Sequence, residues 1–282
     1  MPRRLLLVAT ATILLAACSA SAAASPTAAP ATPAATASLA NGITVDIGGR
    51  SLFIYCVGTG SPTVILEAGM TGDHRTWENV VPDVSSKTRV CAYDRANIAP
   101  SDPAPTPRDA TMAVADLHAL LAAAHIDGPY VLVGFSMGGL ISQLYAATYP
   151  GDIKGLVLVA SNHPDENDVF DAHLTPAQIA ADKAETMGNP EGFDPFASFK
   201  EAQAAGPLPN VPLIVISSGK TDPGVWPPDW DAAVFDKLSA DLQADLVKLI
   251  PGGRQVIATK SGHEIPRDQP ELIVDAIVAV LG

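Results

Sequence analysis

Residues 134–139 read Gly-Phe-Ser-Met-Gly-Gly, and their flanks leave that hexapeptide few folds to sit in. Before it, Tyr130, Val131, Leu132 and Val133 read as a buried strand; after it, Leu140, Ile141, Leu144, Tyr145 and Ala147 have helical spacing. A serine on so short a strand-to-helix turn takes strained backbone angles, and glycines beside it spare the following helix a collision. The turn lifts the hydroxyl clear of the sheet, next to main-chain N–H groups where negative charge is favoured. A serine in such a turn can also do no more than cap the helix, so the motif needs company before it means chemistry.

A serine hydroxyl is a weak nucleophile until a base removes its proton, and the base needs an acid to fix its tautomer. Six histidines are available. His263 alone sits in a Ser-Gly-His turn, after the strand-like 255–258 and before an apolar C-terminal helix. His118 and His125 lie on an Ala/Leu-rich helical stretch and read as solvated or packed side chains. The acid belongs at the end of a strand between serine and histidine. Residues 212–217 have a buried-strand pattern, and Asp222 follows in the loop that leaves it; Asp165, after the preceding strand, is the other carboxylate to weigh. Loop aspartates are also common turn residues.

Strand patterns recur at 43–47, 52–57, 63–67, 89–93, 130–133, 155–159, 213–217 and 255–259, the first two joined by a Gly48-Gly49 turn. Helical spacing marks 109–125 and 269–281. Continuous apolar strands alternating with helices predict an α/β fold with a mostly parallel sheet covered on both faces. The stretch 161–210 breaks the alternation with two weak helical segments, 176–187 and 195–205. Its Phe170, Met187, Phe193, Phe196 and Phe199, with Trp226 and Trp230 beyond Asp222, are candidates for pocket walls or for packing.

Five phrases carry a resemblance: 61–69 (Ser-Pro-Thr-Val-Ile-Leu-Glu-Ala-Gly), 89–95 (Arg-Val-Cys-Ala-Tyr-Asp-Arg), the 134–139 turn, 155–160 (Gly-Leu-Val-Leu-Val-Ala) and 261–266 (Ser-Gly-His-Glu-Ile-Pro). With the chain order Ser136, Asp222, His263, they make the chain from about residue 43 onward resemble the α/β-hydrolases of the esterase, perhydrolase and aminopeptidase-like group. The resemblance implies an eight-stranded α/β-hydrolase fold with a small helical cap at 161–210. It assigns Ser136 as nucleophile, His263 as base, Asp222 as its acid, and the main-chain N–H groups of Met70 and Met137 as an oxyanion hole. No cofactor or metal is implied. The implied reaction is cleavage of a carboxylic ester through an acyl-enzyme. Phe135, where many relatives carry histidine, resembles the cofactor-free perhydrolases and haloperoxidases. Peracid formation, acyl transfer, amide hydrolysis and carbon–carbon cleavage can use the same residues, and a ligand-binding lipoprotein without chemistry is the rival of another class. The loop 96–101 (Ala-Asn-Ile-Ala-Pro-Ser) lacks the two glycines many relatives carry there. The family's strand order makes the strands of Cys56 and Cys91 neighbours, which implies a disulfide; two buried free thiols are the alternative.

Arg3 and Arg4 ahead of an apolar run to Ala17 read as an export signal, too short to span a bilayer. Leu15-Ala16-Ala17-Cys18 resembles a bacterial lipobox, which makes Cys18 the lipidated residue; an ordinary signal cleaved near 20–24 is the alternative. The expected organisation is a lipoprotein signal at 1–18, an Ala/Pro/Ser/Thr tether at 19–40 that cannot offset its ordering entropy, and a hydrolase domain at 41–282. The expected location is the outer face of a bacterial cell envelope, held by the lipid anchor. A formal net charge of −13 disfavours nucleic-acid partners and strongly anionic substrates, leaving a small acyl compound. No histidine pair has metal-ligand spacing.

Overall fold

The computed structural model describes residues 41–282; the signal, Cys18 and the tether lie outside them. Eight strands form one sheet: β1 (Ile43–Asp46), β2 (Ser51–Val57), β3 (Thr63–Glu67), β4 (Val90–Tyr93), β5 (Tyr130–Phe135), β6 (Ile153–Val159), β7 (Leu213–Ser218) and β8 (Arg254–Ala258). Their order is β1-β2-β4-β3-β5-β6-β7-β8, with β2 antiparallel to both neighbours, β1 and β4, and every other pairing parallel. The α/β class and the mostly parallel sheet are as the alternating pattern predicts.

Alternation along the strands fills two cores, one per face. Leu52, Ile54 and Leu132 point into one, under α2 (Ala110–Ala123), α3 (Met137–Thr148) and α6 (Pro195–Ala204). Phe53, Tyr55, Val131 and Val133 point into the other, against α1 (Val81–Ser85) and α9 (Pro270–Leu281). Cys56 faces Cys91 across the antiparallel β2–β4 pair, and the two are disulfide-bonded with Cα atoms 4.1 Å apart. Closing 35 residues of separation contributes on the order of 3–4 kcal/mol in the loop-entropy account.

The segment between β6 and β7 holds three helices rather than the two expected: α4 (Glu166–Asp171), α5 (Pro176–Thr186) and α6. α5 opens with a capping box between Thr175 and Gln178. α4 is the departure. Asp165, Glu166 and Asp168 lie at its start, where acidic residues suit a helix's first turn, and Phe170 gives it an inner face. After β7 comes α7 (Ala232–Asp245), capped by Asp231; only its Phe235 and Leu242 are buried, so apolar spacing alone does not announce it. The short α8 (Ile265–Asp268) follows β8 and precedes α9.

Candidate active site

The sequence-marked residues lie beyond the carboxyl ends of the parallel strands, where open α/β sheets bind ligands. Met70 follows β3, Ser136 β5, Asp222 β7 and His263 β8. Ser136 caps α3 with φ 53° and ψ −124°, a conformation that costs a non-glycine residue about 1–3 kcal/mol. The strain is held by main-chain bonds: its N–H donates to Val159 C=O (3.0 Å), and its own C=O accepts from Gly139 (2.9 Å) and Asn162 (3.2 Å). The first turn of α3 lies so close to β3 that a side chain at Gly138 would start 2.3 Å from the Ala68 carbonyl. On the other side Gly69 faces the serine, a Cβ placed there lying 3.3 Å from Ser136 Cβ. Among the described residues the N–H groups of Met70 and Met137 donate to no protein acceptor.

Asp222 and His263 meet because the β7 and β8 loops are tied together: the N–H groups of Gly219 and Lys220 both donate to Ser261 C=O at 3.1 Å. The Asp222 carboxylate accepts from the His263 main-chain N–H at 2.8 Å and lies over Gly262. The His263 ring packs on Phe135, centroids 4.8 Å apart. Among the described residues neither that ring nor the Ser136 hydroxyl makes a hydrogen bond. Burial pushes the His263 imidazole below its ordinary range, outweighing the pull of Glu264 and Asp222. It is therefore neutral at neutral pH, the form that accepts a proton. Asp165, the rival carboxylate, is exposed and accepts from Gln203 of α6.

Two cavities adjoin. The smaller, about 260 Å³, contains Ser136, Met70 and Met137 under Phe196, Phe199 and Trp230. The larger, about 680 Å³, contains Asp222 and His263 with Ser217, Ser239, Gln243 and Gln255. Asn162, Glu166, Phe170 and Trp226 line both. Phe193 instead lies fully in the core, and Met187 lines neither cavity. Glu166 was not marked in sequence as a site residue. It stands one helical turn from Phe170 on α4, accepts from Asn162 Nδ2 at 2.6 Å, and burial pushes its carboxyl up to about 7. Only its helical spacing from Phe170 signals it. His74 is buried on the Asp94 carboxylate (2.8 Å), His163 is buried between Asp165 and Asp245, and His118 stacks on Tyr149. Among the described residues no three His, Cys, Asp or Glu side chains converge as metal ligands.

A family model described as the alpha/beta hydrolase fold matches residues 62–213. The chain is 28% identical over 228 residues to the uncharacterised protein YqjL of Bacillus subtilis (strain 168), covering 79% of this chain and 85% of that protein. Longer fungal proteins match locally, over 14–18% of their own length. Among solved structures, an esterase from Thermogutta terrifontis superposes with TM-score 0.61 at 20% identity, over 85% of this chain and 97% of that one. The enol-lactonase of Burkholderia xenovorans LB400 gives TM-score 0.61 at 19% identity, over 85% and 99%.

Proposed function

The chain belongs to the α/β-hydrolase fold family, and from that premise we propose that it is a serine hydrolase cleaving carboxylic esters through an acyl-enzyme. The observation that carries the reading is Ser136, held at φ 53° in one cavity with Met70 and Met137, whose main-chain N–H groups have no protein acceptor among the described residues. In this reading the Ser136 Oγ attacks the ester carbonyl while the His263 ring takes its proton. The N–H groups of Met70 and Met137 stabilise the tetrahedral oxyanion, in surroundings where such donors are worth far more than in water. His263 then gives the proton to the leaving oxygen, an alcohol departs, and water repeats the sequence on the acyl-enzyme. Asp222 stabilises the imidazolium and orients His263.

The two cavities suggest how the substrate lies. The acyl group belongs with Ser136 in the smaller, aromatic-walled space, and the alcohol, leaving beside His263, in the larger one. The small space and its aromatic walls favour an uncharged ester with a short apolar acyl group. Phe135 ahead of Ser136, the residue by which the turn resembles perhydrolases and haloperoxidases, favours a second reaction of the same acyl-enzyme, attack by hydrogen peroxide in place of water to give a peracid. For the segment outside the described residues the proposal is export with a lipid on Cys18, which places the enzyme on the outer face of a bacterial envelope.

Fluorophosphonate labelling and p-nitrophenyl ester turnover test the reaction. Both are expected for the wild type, and Ser136→Ala should abolish both with the fold intact. Labelling that survives Ser136→Ala overturns the nucleophile assignment. Loss of fatty-acid incorporation in Cys18→Ala is the expected result for the anchor.

A further inference from the structure

The Tyr93-Asp94-Arg95 phrase has a place in the molecule that the reaction above does not use. Arg95, just past β4, is 5% exposed, and its guanidinium is fully engaged. Nε and Nη2 donate to the Glu191 carboxylate at 2.6 and 2.9 Å. Nη1 donates to Glu67 Oε1 (2.5 Å) and the Ala68 carbonyl (2.7 Å), and Nη2 also to the Gly69 carbonyl (2.7 Å). Glu191 in turn accepts the Thr71 N–H at 2.8 Å, while Tyr93 donates its hydroxyl to Glu67. Residues 68, 69 and 71 are thus all gripped, and Met70 lies between them.

Peptide geometry gives the grip a meaning. The Gly69 carbonyl and the Met70 N–H belong to one planar trans peptide, so they point in opposite directions. A guanidinium holding the oxygen therefore aims the N–H away from Arg95, and Gly69 is the residue that faces Ser136. A charge-assisted bond to the oxygen also polarises the amide and strengthens the donor at its other end. Thr71 sits at φ 62°, a strained conformation for a β-branched residue, and its N–H is the one Glu191 holds.

We infer that Arg95 and Glu191 are positioning residues for the oxyanion hole, fixing the Gly69–Met70 peptide so that its N–H meets the negative charge of the tetrahedral intermediate. The inference rests on the ester-hydrolase reading. Glu191 comes from the 161–210 insertion, in the loop between α5 and α6, and that loop is itself pinned. Gly192 C=O accepts from Arg108 N–H (2.9 Å), Asp194 N–H donates to Arg108 C=O (2.6 Å), and Asn97 Nδ2 donates to Glu191 C=O (2.9 Å). Burial works against the Glu191 charge, yet Arg95 holds its carboxyl below the usual range, so the pair stays ionised. This part of the cap is wired into the catalytic floor.

Removing one partner of a buried ion pair is strongly destabilising, so the test uses conservative changes, Arg95→Lys and Glu191→Gln, in the full chain. Gly192→Ala adds a third route. It keeps both charges and displaces the Glu191 loop, because its Cβ would start 2.2 Å from Thr106 Cγ2. Turnover of a p-nitrophenyl ester is normalised to active sites titrated with a fluorophosphonate, so only folded enzyme counts. Affinity for a trifluoromethyl ketone, which forms a tetrahedral oxyanion on a serine, is compared with that for an unreactive alcohol. The kcat of the variants should fall about 10²–10³-fold with KM within about threefold, as when an oxyanion donor is lost. Ketone affinity should fall in step with kcat while alcohol affinity holds. Variants with wild-type kcat per titrated site, or with kcat and alcohol affinity falling while ketone affinity holds, overturn the inference. A wild type that neither turns over nor labels would sink the ester-hydrolase reading instead.

Discussion

Gly262→Ala should disable the enzyme while leaving all three residues assigned to its chemistry in the sequence. Gly262 is buried and its φ lies outside the left-handed region, so alanine is acceptable to the backbone. The space is the difficulty. An added Cβ would sit 2.0 Å from Asp222 Oδ1, 2.4 Å from Cγ and 2.5 Å from Oδ2, where ordinary contact begins at 3.4 Å. The carboxylate must therefore retreat by more than an ångström, and as the end of a two-torsion side chain it yields before the main chain does. Retreat breaks its 2.8 Å bond from His263 N–H, a charge-assisted interaction of about 1.5–3 kcal/mol. At roughly 2–4 °C per kcal/mol for a domain of this size, the melting midpoint should drop by about 3–12 °C. Activity should suffer more. A misplacement of about 1 Å costs on the order of 10²-fold, and loss of the orienting acid about 10⁴-fold. The kcat of p-nitrophenyl ester hydrolysis should accordingly fall between those limits, with KM little changed. Gly206→Ala, whose Cβ meets nothing within 4 Å, is the control and should match wild type. A folded Gly262→Ala enzyme with wild-type turnover would refute the assignment of Asp222 as the acid behind His263.

Gly138→Ala pits two effects against each other: alanine gains about 1 kcal/mol of helix propensity, but its Cβ would meet the main-chain oxygens of Ala68 and Glu67 at 2.3 and 2.4 Å. Backbone cannot step aside cheaply, so urea unfolding should show a net loss of about 1–3 kcal/mol, and turnover should fall because β3 leads into the loop proposed to hold the oxyanion. Glu166, with its carboxyl pushed up to about 7 by burial, holds its proton more tightly folded than unfolded. Stability from that group is complete below the ordinary glutamate range and is lost as pH rises through about 7. Glu166→Gln should remove that part of the pH dependence of the melting midpoint, and an unchanged profile would contradict it. His263, shifted the other way, should let kcat/KM rise to its plateau at a lower pH than an ordinary imidazole would allow. Replacing Cys56 and Cys91 together by serine should cost on the order of 3–4 kcal/mol, read as a lower urea midpoint that a reducing agent reproduces in the wild type.

The parts of this molecule legible in its sequence are those where local chemistry leaves one solution. The apolar strands, the glycine-lined serine turn and the His263 turn each announce themselves within a dozen residues. The structure holds Ser136 at a strained turn and the Asp222 carboxylate on the His263 main-chain N–H, with no hydrogen bond to the ring among the described residues. What stayed hidden depends on contacts between distant segments. Glu191 lies 96 positions from Arg95, and nothing around it says that its carboxylate is buried. Glu166 sits in a run of acids that looks solvated until α4 folds against the site and turns one of them inward. Phe193 and Phe196 show the same limit within three positions of each other: one fills the core, the other lines a cavity, and only the α6 geometry tells them apart.

The bridge between Cys56 and Cys91 also has a mechanical consequence. β1 is an edge strand that, among the described residues, pairs only with β2, which pairs onward with β4. A tug applied at Asn41 would first unzip β1 from its neighbour. Tearing further along β2 would run into a covalent rivet joining it to β4. The strands that lead to the residues proposed as reactive, β3, β5, β7 and β8, lie beyond that rivet. An enzyme pulled by its leading end would therefore fray at its rim and keep its working parts in register.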